Sequence, residues 1–151
     1  MQDELIRWMI AGVIGFIVKD ILGAILFWGK VVSYHIAFIA ADIFMNSPDI
    51  YSPEGWILGT VTDLLIGGIL GIGIGMFLKW KGPGFYGVKG IFLAMVIWLL
   101  FIGGIMHALQ FIFSIVLTRF SDLFYSLIAH VVYGLFTSYL IVRLTPKSIP
   151  S

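Results

Sequence analysis

The sequence contains no cysteine and very little charge, and both features exclude whole classes of protein. Without cysteine there can be no disulfide, thiolate zinc site, iron–sulfur cluster or thiol nucleophile. Charged residues make up 11% of the chain, whereas an average soluble domain has about 25%. The net charge of +1 comes without a basic stripe that could follow a phosphate backbone, so nucleic acid is not an expected partner.

Apolar side chains, by contrast, are abundant. Hydrophobic residues make up 60% of the 151 positions, and the mean hydropathy is +1.07. A soluble domain of this size buries only about 70% of the surface that its unfolded chain exposes, which is too little to hide so much apolar area. A lipid bilayer removes the difficulty because apolar side chains can then face outward. The sequence therefore predicts an integral membrane protein.

Four apolar segments are long enough to cross a bilayer, since about 20 residues suffice. The predicted spans are residues 5–28, 56–78, 88–117 and 123–142. Two acidic residues precede the first segment and no Ala-x-Ala site follows it, so we expect a retained helix and not a cleaved signal. Ser52, which precedes Pro53, and Ser121 are expected to cap the helices that follow them.

A fifth apolar stretch, residues 31–45, is about 15 residues long and too short to cross unaided. We expect a helix that lies at the interface or re-enters the membrane; a continuation of the first helix is the alternative. His35 in this stretch is expected to be solvated. The predicted fold class is therefore all-α: one transmembrane domain over residues 1–151, a polytopic four-helix bundle with a short interfacial or re-entrant helix after the first span.

Lysine and arginine are distributed unevenly between the two sides of this topology. With four crossings, one side carries Arg7, Lys79, Lys81, Lys89, Arg143 and Lys147, and the other carries Lys30 and Arg119. The positive-inside rule then predicts that both termini are cytoplasmic, in a membrane crossed several times. A full crossing by residues 31–45 would weaken this charge bias, which favours four crossings.

Small residues recur at four-residue spacing, as is typical of membrane helices that touch each other. The second span carries a glycine stripe formed by Gly59, Gly67, Gly71 and Gly75. The small residues offered by the other spans are Ala11 and Gly15, Gly104 and Ala108, and Ser126, Gly134 and Ser138. The glycine stripe can pack against helices of the same chain or form a homo-oligomer, and the spacing does not separate these possibilities.

Five ionisable side chains fall inside the predicted spans: Lys19, Asp20, Asp63, His107 and His130. At a rise of 1.5 Å per residue, they lie roughly 10–15 Å from the outer ends of their helices. Charged groups are costly in hydrocarbon and normally face protein or water. We predict that Asp63, His107 and His130 converge, with Lys19 or Asp20 as the counter-charge. Lys19 and Asp20 point about 100° apart on the helix, so they are not expected to reach the same point.

This polar cluster has several possible interpretations. It can be structural, locking the bundle through a lysine–aspartate pair and bonded histidines, or it can hold a proton, a metal ion or a small polar solute. The sequence has no pair of histidines four residues apart and no Glu-x-x-His motif, so no metal ligand is assigned. No serine lies in a Gly-x-Ser-x-Gly elbow. We therefore assign no catalytic residue, and no cofactor is expected.

Two stretches carry a resemblance to known sequences. They are Leu-Ile-Arg-Trp-Met-Ile-Ala-Gly-Val-Ile-Gly-Phe-Ile-Val-Lys-Asp-Ile-Leu at residues 5–22 and Gly-Val-Lys-Gly-Ile-Phe-Leu-Ala-Met-Val-Ile-Trp at residues 87–98. In these the chain resembles a group of uncharacterised small membrane proteins of Gram-positive, often anaerobic bacteria. The resemblance implies four helices and a bacterial cytoplasmic membrane, and it implies no activity and no site residue.

Three functions are compatible with these features. The first is a non-enzymatic bundle that has a structural or partner-binding role in the lipid bilayer, with a structural polar cluster. The second is a small transporter or channel for protons, ions or a solute that uses the polar cluster. Against the second, the two halves of the chain show no inverted repeat. The third is an enzyme acting on lipid, which is least favoured because no nucleophile–base pair is recognisable.

Overall fold

The computed structural model describes residues 2–45, 48–108 and 119–145, and these contain helices and no strand. The helices are α1 (Gln2–Trp28), α2 (Ile36–Ala41), a 3-10 turn (Asp49–Tyr51), α3 (Pro53–Lys81), α4 (Tyr86–Trp98), a π-helix (Leu99–Ile105), α5 (Met106–Ala108) and α6 (Phe120–Leu144). Three of these elements, α4, the π-helix and α5, follow each other without a break.

Four helices in the described residues are long and apolar enough to cross a membrane. They are Asp3–Trp28, Pro53–Lys81, Tyr86–Ile105 and Phe120–Leu144. The prediction of an all-α protein with four spanning helices and a shorter helix after the first is confirmed. The helices extend up to a turn beyond the predicted bounds, because flanking charged residues continue the helix outside the apolar segment. Residues 109–117 of the third predicted span lie outside the described residues.

The start of α3 follows local sequence rules, whereas the start of α6 does not. Ser52 caps α3 by accepting a hydrogen bond from the backbone N–H of Gly55 at 3.0 Å, with Pro53 in the first turn. The residue that precedes α6 is Arg119, and it makes no side-chain cap. The prediction that Ser121 caps this helix is therefore wrong, because the helix begins at Phe120 and includes Ser121 in its first turn.

The first helix lies between α3 and α6 and runs antiparallel to both. Near its start, Glu4 forms an ion pair with Lys79 at 2.6 Å, and Arg7 donates a hydrogen bond to the carbonyl of Leu144 at 2.9 Å. The remaining helices add to this core: α4 packs along α6, α2 packs on α3, and α3 barely touches α4. The two ends of the helical region and the α3–α4 connection therefore lie at the same end of the bundle.

The glycine stripe is used for packing within the chain. A Cβ added to Gly71 would lie 2.5 Å from the Cα of Gly12 in α1. A Cβ added to Gly67 would meet Phe16, and one added to Gly75 would meet Trp8, both also in α1. Gly59 is covered in the same way by the backbone of Ala37 in α2. Such backbone approach is what holds membrane helices together. A homo-oligomer formed through this stripe would require α1 and α2 to move away.

The contact of the third span differs from the one predicted. Among the described residues, no atom lies within 4 Å of a Cβ added to Gly104, and Ala108 is exposed, so this part of the chain shows no packing contact at the predicted pair. Packing instead uses Gly90 and Ala94, at the same four-residue spacing, against Gly134 of α6. The spacing rule holds, but the two small-residue pairs along this span cannot be ranked without knowing where the neighbouring helix lies.

Residues 31–45 fold back into the bundle and do not continue α1. The first helix ends at Trp28, and Lys30 has a positive φ of 56° that turns the chain. Within the predicted stretch only the six residues Ile36–Ala41 are α-helical, and Ala37, Ile39, Ala40 and Ala41 are buried. Because α2 is this short and packs beside Gly59, the segment has the form of a re-entrant element.

Candidate intramembrane polar site

A buried ion pair joins α1 and α3, in the half of the bundle where α1 ends and α3 begins. The Nζ of Lys19 lies 3.2 Å from Oδ2 of Asp63, and the two residues are only 2% and 5% exposed. Asp63 reaches this point because it stands between Gly59 and Gly67 on the face of α3 that turns inward. The ammonium also lies 3.6 Å from the ring centre of Phe16, a cation–π contact that adds to its stabilisation.

Asp20 joins the same pair, which the helical geometry alone did not predict. Its Oδ1 lies 3.8 Å from Nζ of Lys19. The expectation that Lys19 and Asp20 cannot reach one point is wrong, because the four-carbon lysine side chain spans the angle between their Cα–Cβ directions. Within the part of the chain that the structure describes, this Oδ1 has no hydrogen-bond partner. The site therefore contains one lysine amine and two aspartate carboxyl groups.

His130 lies on α6 beside the ion pair. It is buried, and its Nδ1 donates a hydrogen bond to the carbonyl of Ser126, one turn earlier, at 2.8 Å. A carbonyl can only accept, so the proton is on Nδ1, and Nε2 of the neutral ring is an acceptor. The structure thus brings together Lys19, Asp20 and Asp63 and places His130 next to them. The side chain of His107 lies outside the described part of the structure.

Two cavities flank this polar site, and Lys19 and His130 line both. The α1–α6 cavity has a volume of about 30 Å³ and is lined by residues of α1, α6, the start of α2 and the segment before it: Lys19, Gly23, Leu26, Val32, Tyr34, Ile36, Tyr125, Ser126, Ala129 and His130. The α3–α4 cavity has a volume of about 100 Å³, is partly open to the outside, and is lined by Phe16, Lys19, Ile36, Ile39, Ala40, Ile43, Asp63, Ile66, Leu70, Ile97, Phe101, Ile102 and His130.

Tyr133 and Trp98 support the site and were not singled out from the sequence. The hydroxyl of Tyr133 donates to the carbonyl of Gly67 at 3.0 Å, and its ring packs edge-on against Phe16 with centres 4.6 Å apart. Trp98 donates from Nε1 to the Ser126 hydroxyl at 3.1 Å. The available signal was the position of Trp98 inside a span, away from the aromatic belt, where an indole N–H needs a partner.

A second buried polar contact fixes the re-entrant segment to α6. Asp122 is fully buried and accepts hydrogen bonds from the backbone N–H of Ser33 at 3.1 Å and from the Ser33 hydroxyl. Tyr34 donates to the carbonyl of Asp122 at 3.4 Å. Burial raises the pKa of Tyr34 to about 12, so the phenol keeps the proton that it donates. No sequence signal indicated this contact, because Asp122 follows a polar connection and resembles a solvated loop residue.

His35 is buried among aromatic rings and is not solvated as predicted. It is 4% exposed, and its ring centre lies 5.0 Å from that of Trp56 and 5.9 Å from that of Phe27. Its Nδ1 accepts a hydrogen bond from the backbone N–H of Ala37 at 3.2 Å, so His35 caps α2. Burial lowers the pKa of His35 below its usual 6.5; the Asp63 carboxylate acts in the opposite direction, and Lys19 adds to the lowering.

The chemistry available at the polar site is that of ion pairing, hydrogen bonding and proton exchange. Among the described residues, no three histidine, aspartate or glutamate side chains are close enough together to hold a metal ion. Comparison of the chain with protein-family models, with curated proteins and with solved structures gives no match. What the molecule does is therefore inferred from its own geometry.

Proposed function

We propose that this chain is a non-enzymatic helical bundle of the bacterial cytoplasmic membrane, in which the Lys19–Asp63 ion pair locks α1 against α3. The observation that carries this proposal is the 3.2 Å contact between two side chains that are both almost fully buried. A buried charge finds no water to replace a lost partner, so each charge fixes the position of the other. Close glycine packing on the same helices reinforces this role.

The orientation in the membrane follows from charge. Arg7, Lys79, Lys81, Lys89 and Arg143 belong to the end of the bundle where α1 begins and α3 and α6 end. At the other end the described residues include Lys30 and Arg119 as the basic side chains. The positive-inside rule supports a cytoplasmic position for the first end, with both termini inside. The resemblance to small membrane proteins of Gram-positive bacteria supports the same membrane.

The partner-binding part of the proposal concerns α4. This helix packs along α6, and of its residues only Gly90 and Ala94 are buried. Large apolar side chains such as Val88, Phe92 and Met95 face outward. A bundle with a structural role needs a surface that other membrane components can contact, and α4 offers the least covered one among the described spans.

The test is a double-mutant cycle on the ion pair. Lys19→Met leaves Asp63 buried without a partner and should destabilise the protein by about 3–5 kcal/mol. Asp63→Leu leaves Lys19 with only the longer contact to Asp20 at 3.8 Å and should destabilise it as well, though less. The double variant removes both charges of the Lys19–Asp63 pair, leaves Asp20 with a side chain that is 18% exposed, and should recover most of the loss. The measurement is thermal unfolding in one detergent. The Glu4–Lys79 pair, whose side chains are 30% and 53% exposed, is the matched control: Lys79→Met should change stability little.

A transporter or channel for protons, ions or a small solute is the second candidate. It is favoured by one observation, that Lys19 and His130 line cavities on both sides of the polar site. Under this alternative, Lys19→Met and Asp63→Leu would keep the melting temperature of the native chain and would abolish a flux across liposomes that the native chain supports. That result would contradict the structural proposal. Loss of stability in the single variants, with recovery in the double variant, supports it.

A further inference from the structure

The α3–α4 cavity lies at the depth of the acyl chains. Ile66 and Leu70, which line it, lie roughly 20 and 25 Å along α3, a helix roughly 43 Å long at 1.5 Å per residue. On the opposite wall, Ile97 and Phe101 lie roughly 17 and 23 Å along the unbroken helix that α4, the π-helix and α5 form together. Both walls are therefore near the middle of their helices, and the cavity is within the hydrocarbon region of a bilayer.

The cavity is partly open, and its wall is thinnest between α3 and α4. These two helices barely touch each other, and their lining side chains Ile66, Leu70 and Ile97 are partly exposed. At the outer end α2 closes it with Ile39 and Ala40, which are buried. A molecule that enters between α3 and α4 would come from the bilayer and would carry an apolar chain.

The π-helix forms part of the entrance. Phe101 and Ile102 project from it into the cavity lining, while Gly103 and Gly104 that follow are exposed. A π-helix is rare, and short π segments within α-helices frequently occur at functional sites. Here it widens the turn of the span that faces α3, which supports a role for this opening beyond packing.

The inner end of the cavity, which is the end deepest in the protein, is polar, and the two charged residues that line it pair with each other. They are Lys19 and Asp63, whose ammonium and carboxylate lie 3.2 Å apart, whereas Asp20 is not part of the lining. An ammonium or carboxylate on a ligand would therefore find no free counter-charge and would lose its hydration. His130 also lines this end, with Nδ1 bound to its own helix. The nitrogen that it can offer is Nε2, which accepts hydrogen bonds in the neutral ring.

We propose that the α3–α4 cavity binds a neutral single-chain amphiphile that enters from the bilayer. The first carbons of its apolar chain lie between Ile66 and Leu70 on one wall and Ile97 and Phe101 on the other, and the rest of the chain extends into the bilayer. Its hydroxyl head reaches the inner end, where it donates a hydrogen bond to Nε2 of His130. This binding site goes beyond the structural role of the ion pair, which forms one side of it.

The experiment uses a photoreactive monoacylglycerol with a diazirine in its acyl chain, and the full chain in phosphatidylcholine nanodiscs. Labelling should saturate, excess unlabelled monoacylglycerol should compete, and cross-linked residues should include those of the two walls. A fatty acid and a fatty amine of the same chain length should compete about tenfold less well. Equal competition by all three would overturn the neutral head group, and labelling that neither saturates nor is competed would overturn the site.

Neighbouring substitutions on α3 give a matched control. Leu70→Trp fills the cavity and should weaken labelling about tenfold, whereas Ile69→Trp, at a position 68% exposed, should leave it unchanged. His130→Phe removes the acceptor and should reduce the preference for the hydroxyl over the fatty acid. If Leu70→Trp does not fold, Ile97→Trp tests the opposite wall, and the competition measurement on the native chain stands without any variant. Unchanged labelling in a folded Leu70→Trp variant would contradict the proposal.

Discussion

At the scale of single residues, burial decides the state of the polar side chains more than sequence position does. His35 lies between two spans, where a histidine is expected to contact water, yet it is enclosed by Trp56 and Phe27 and caps α2. The cap needs a lone pair on Nδ1, which a protonated ring does not have. The neutral form of His35 is therefore part of the folded state.

This state predicts a dependence of stability on pH. Burial lowers the pKa of His35 in the folded protein below the 6.5 of the exposed side chain. The unfolded chain then binds the proton more readily, so stability is complete above about pH 6.5 and falls as the pH decreases, by at most about 1.4 kcal/mol per pH unit. Thermal unfolding at pH 7.5 and 5.5 measures the effect.

The control for this prediction is His35→Asn, which keeps a side-chain acceptor at the cap and removes the titration. The difference in melting temperature between the two pH values should be smaller in His35→Asn than in the native chain, and the other histidines contribute equally to both. An identical difference in the two proteins would show that His35 does not carry the effect.

At the scale of helices, close glycine contact sets which spans are neighbours. In α3, Gly71 lies against Gly12 of α1, whereas a Cβ added to Gly73, two residues later, would meet no atom of the described residues within 4 Å. The two glycines have the same helical context and opposite surroundings. They therefore separate the effect of packing from the effect of glycine on the helix itself.

We predict opposite outcomes for alanine at these two positions. Gly71→Ala places a methyl group against the α1 backbone and should destabilise the protein by about 1–3 kcal/mol, as overpacking does. Gly73→Ala meets no neighbour and should be neutral or stabilising by up to about 1 kcal/mol, because alanine favours the helix. Thermal unfolding of both variants in the same detergent is the measurement. Equal losses would show that α1 does not pack on this face.

Some features of the helices could be predicted from the sequence and others could not. The four spans, the cap at Ser52 and the inward face of Asp63 follow from apolar length, turn chemistry and four-residue spacing. The contact of Gly90 and the attachment of Ser33 to Asp122 do not, because they depend on which surfaces meet across the bundle. Local patterns give the inward face of a helix, but only tertiary packing gives the partner of that face.

At the scale of the whole molecule, the site follows from the topology. Lys19 and Asp63 meet because α1 and α3 run antiparallel at close distance, and the re-entrant segment covers them from the outer side. A different number of crossings would change which side of the membrane the charged loops face. It would also change the depth at which the cavities and the ion pair lie. The four-crossing topology is thus the central claim.

Single cysteines test this topology directly, since the chain has none of its own. Cysteine is placed at Asp3, Glu54, Gly84 or Arg119, which are all exposed, and intact bacterial cells are treated with a membrane-impermeant maleimide before and after permeabilisation. The four-crossing bundle predicts labelling from outside at Glu54 and Arg119, and labelling only after permeabilisation at Asp3 and Gly84. Labelling of Asp3 and Gly84 from opposite sides of the membrane would contradict it.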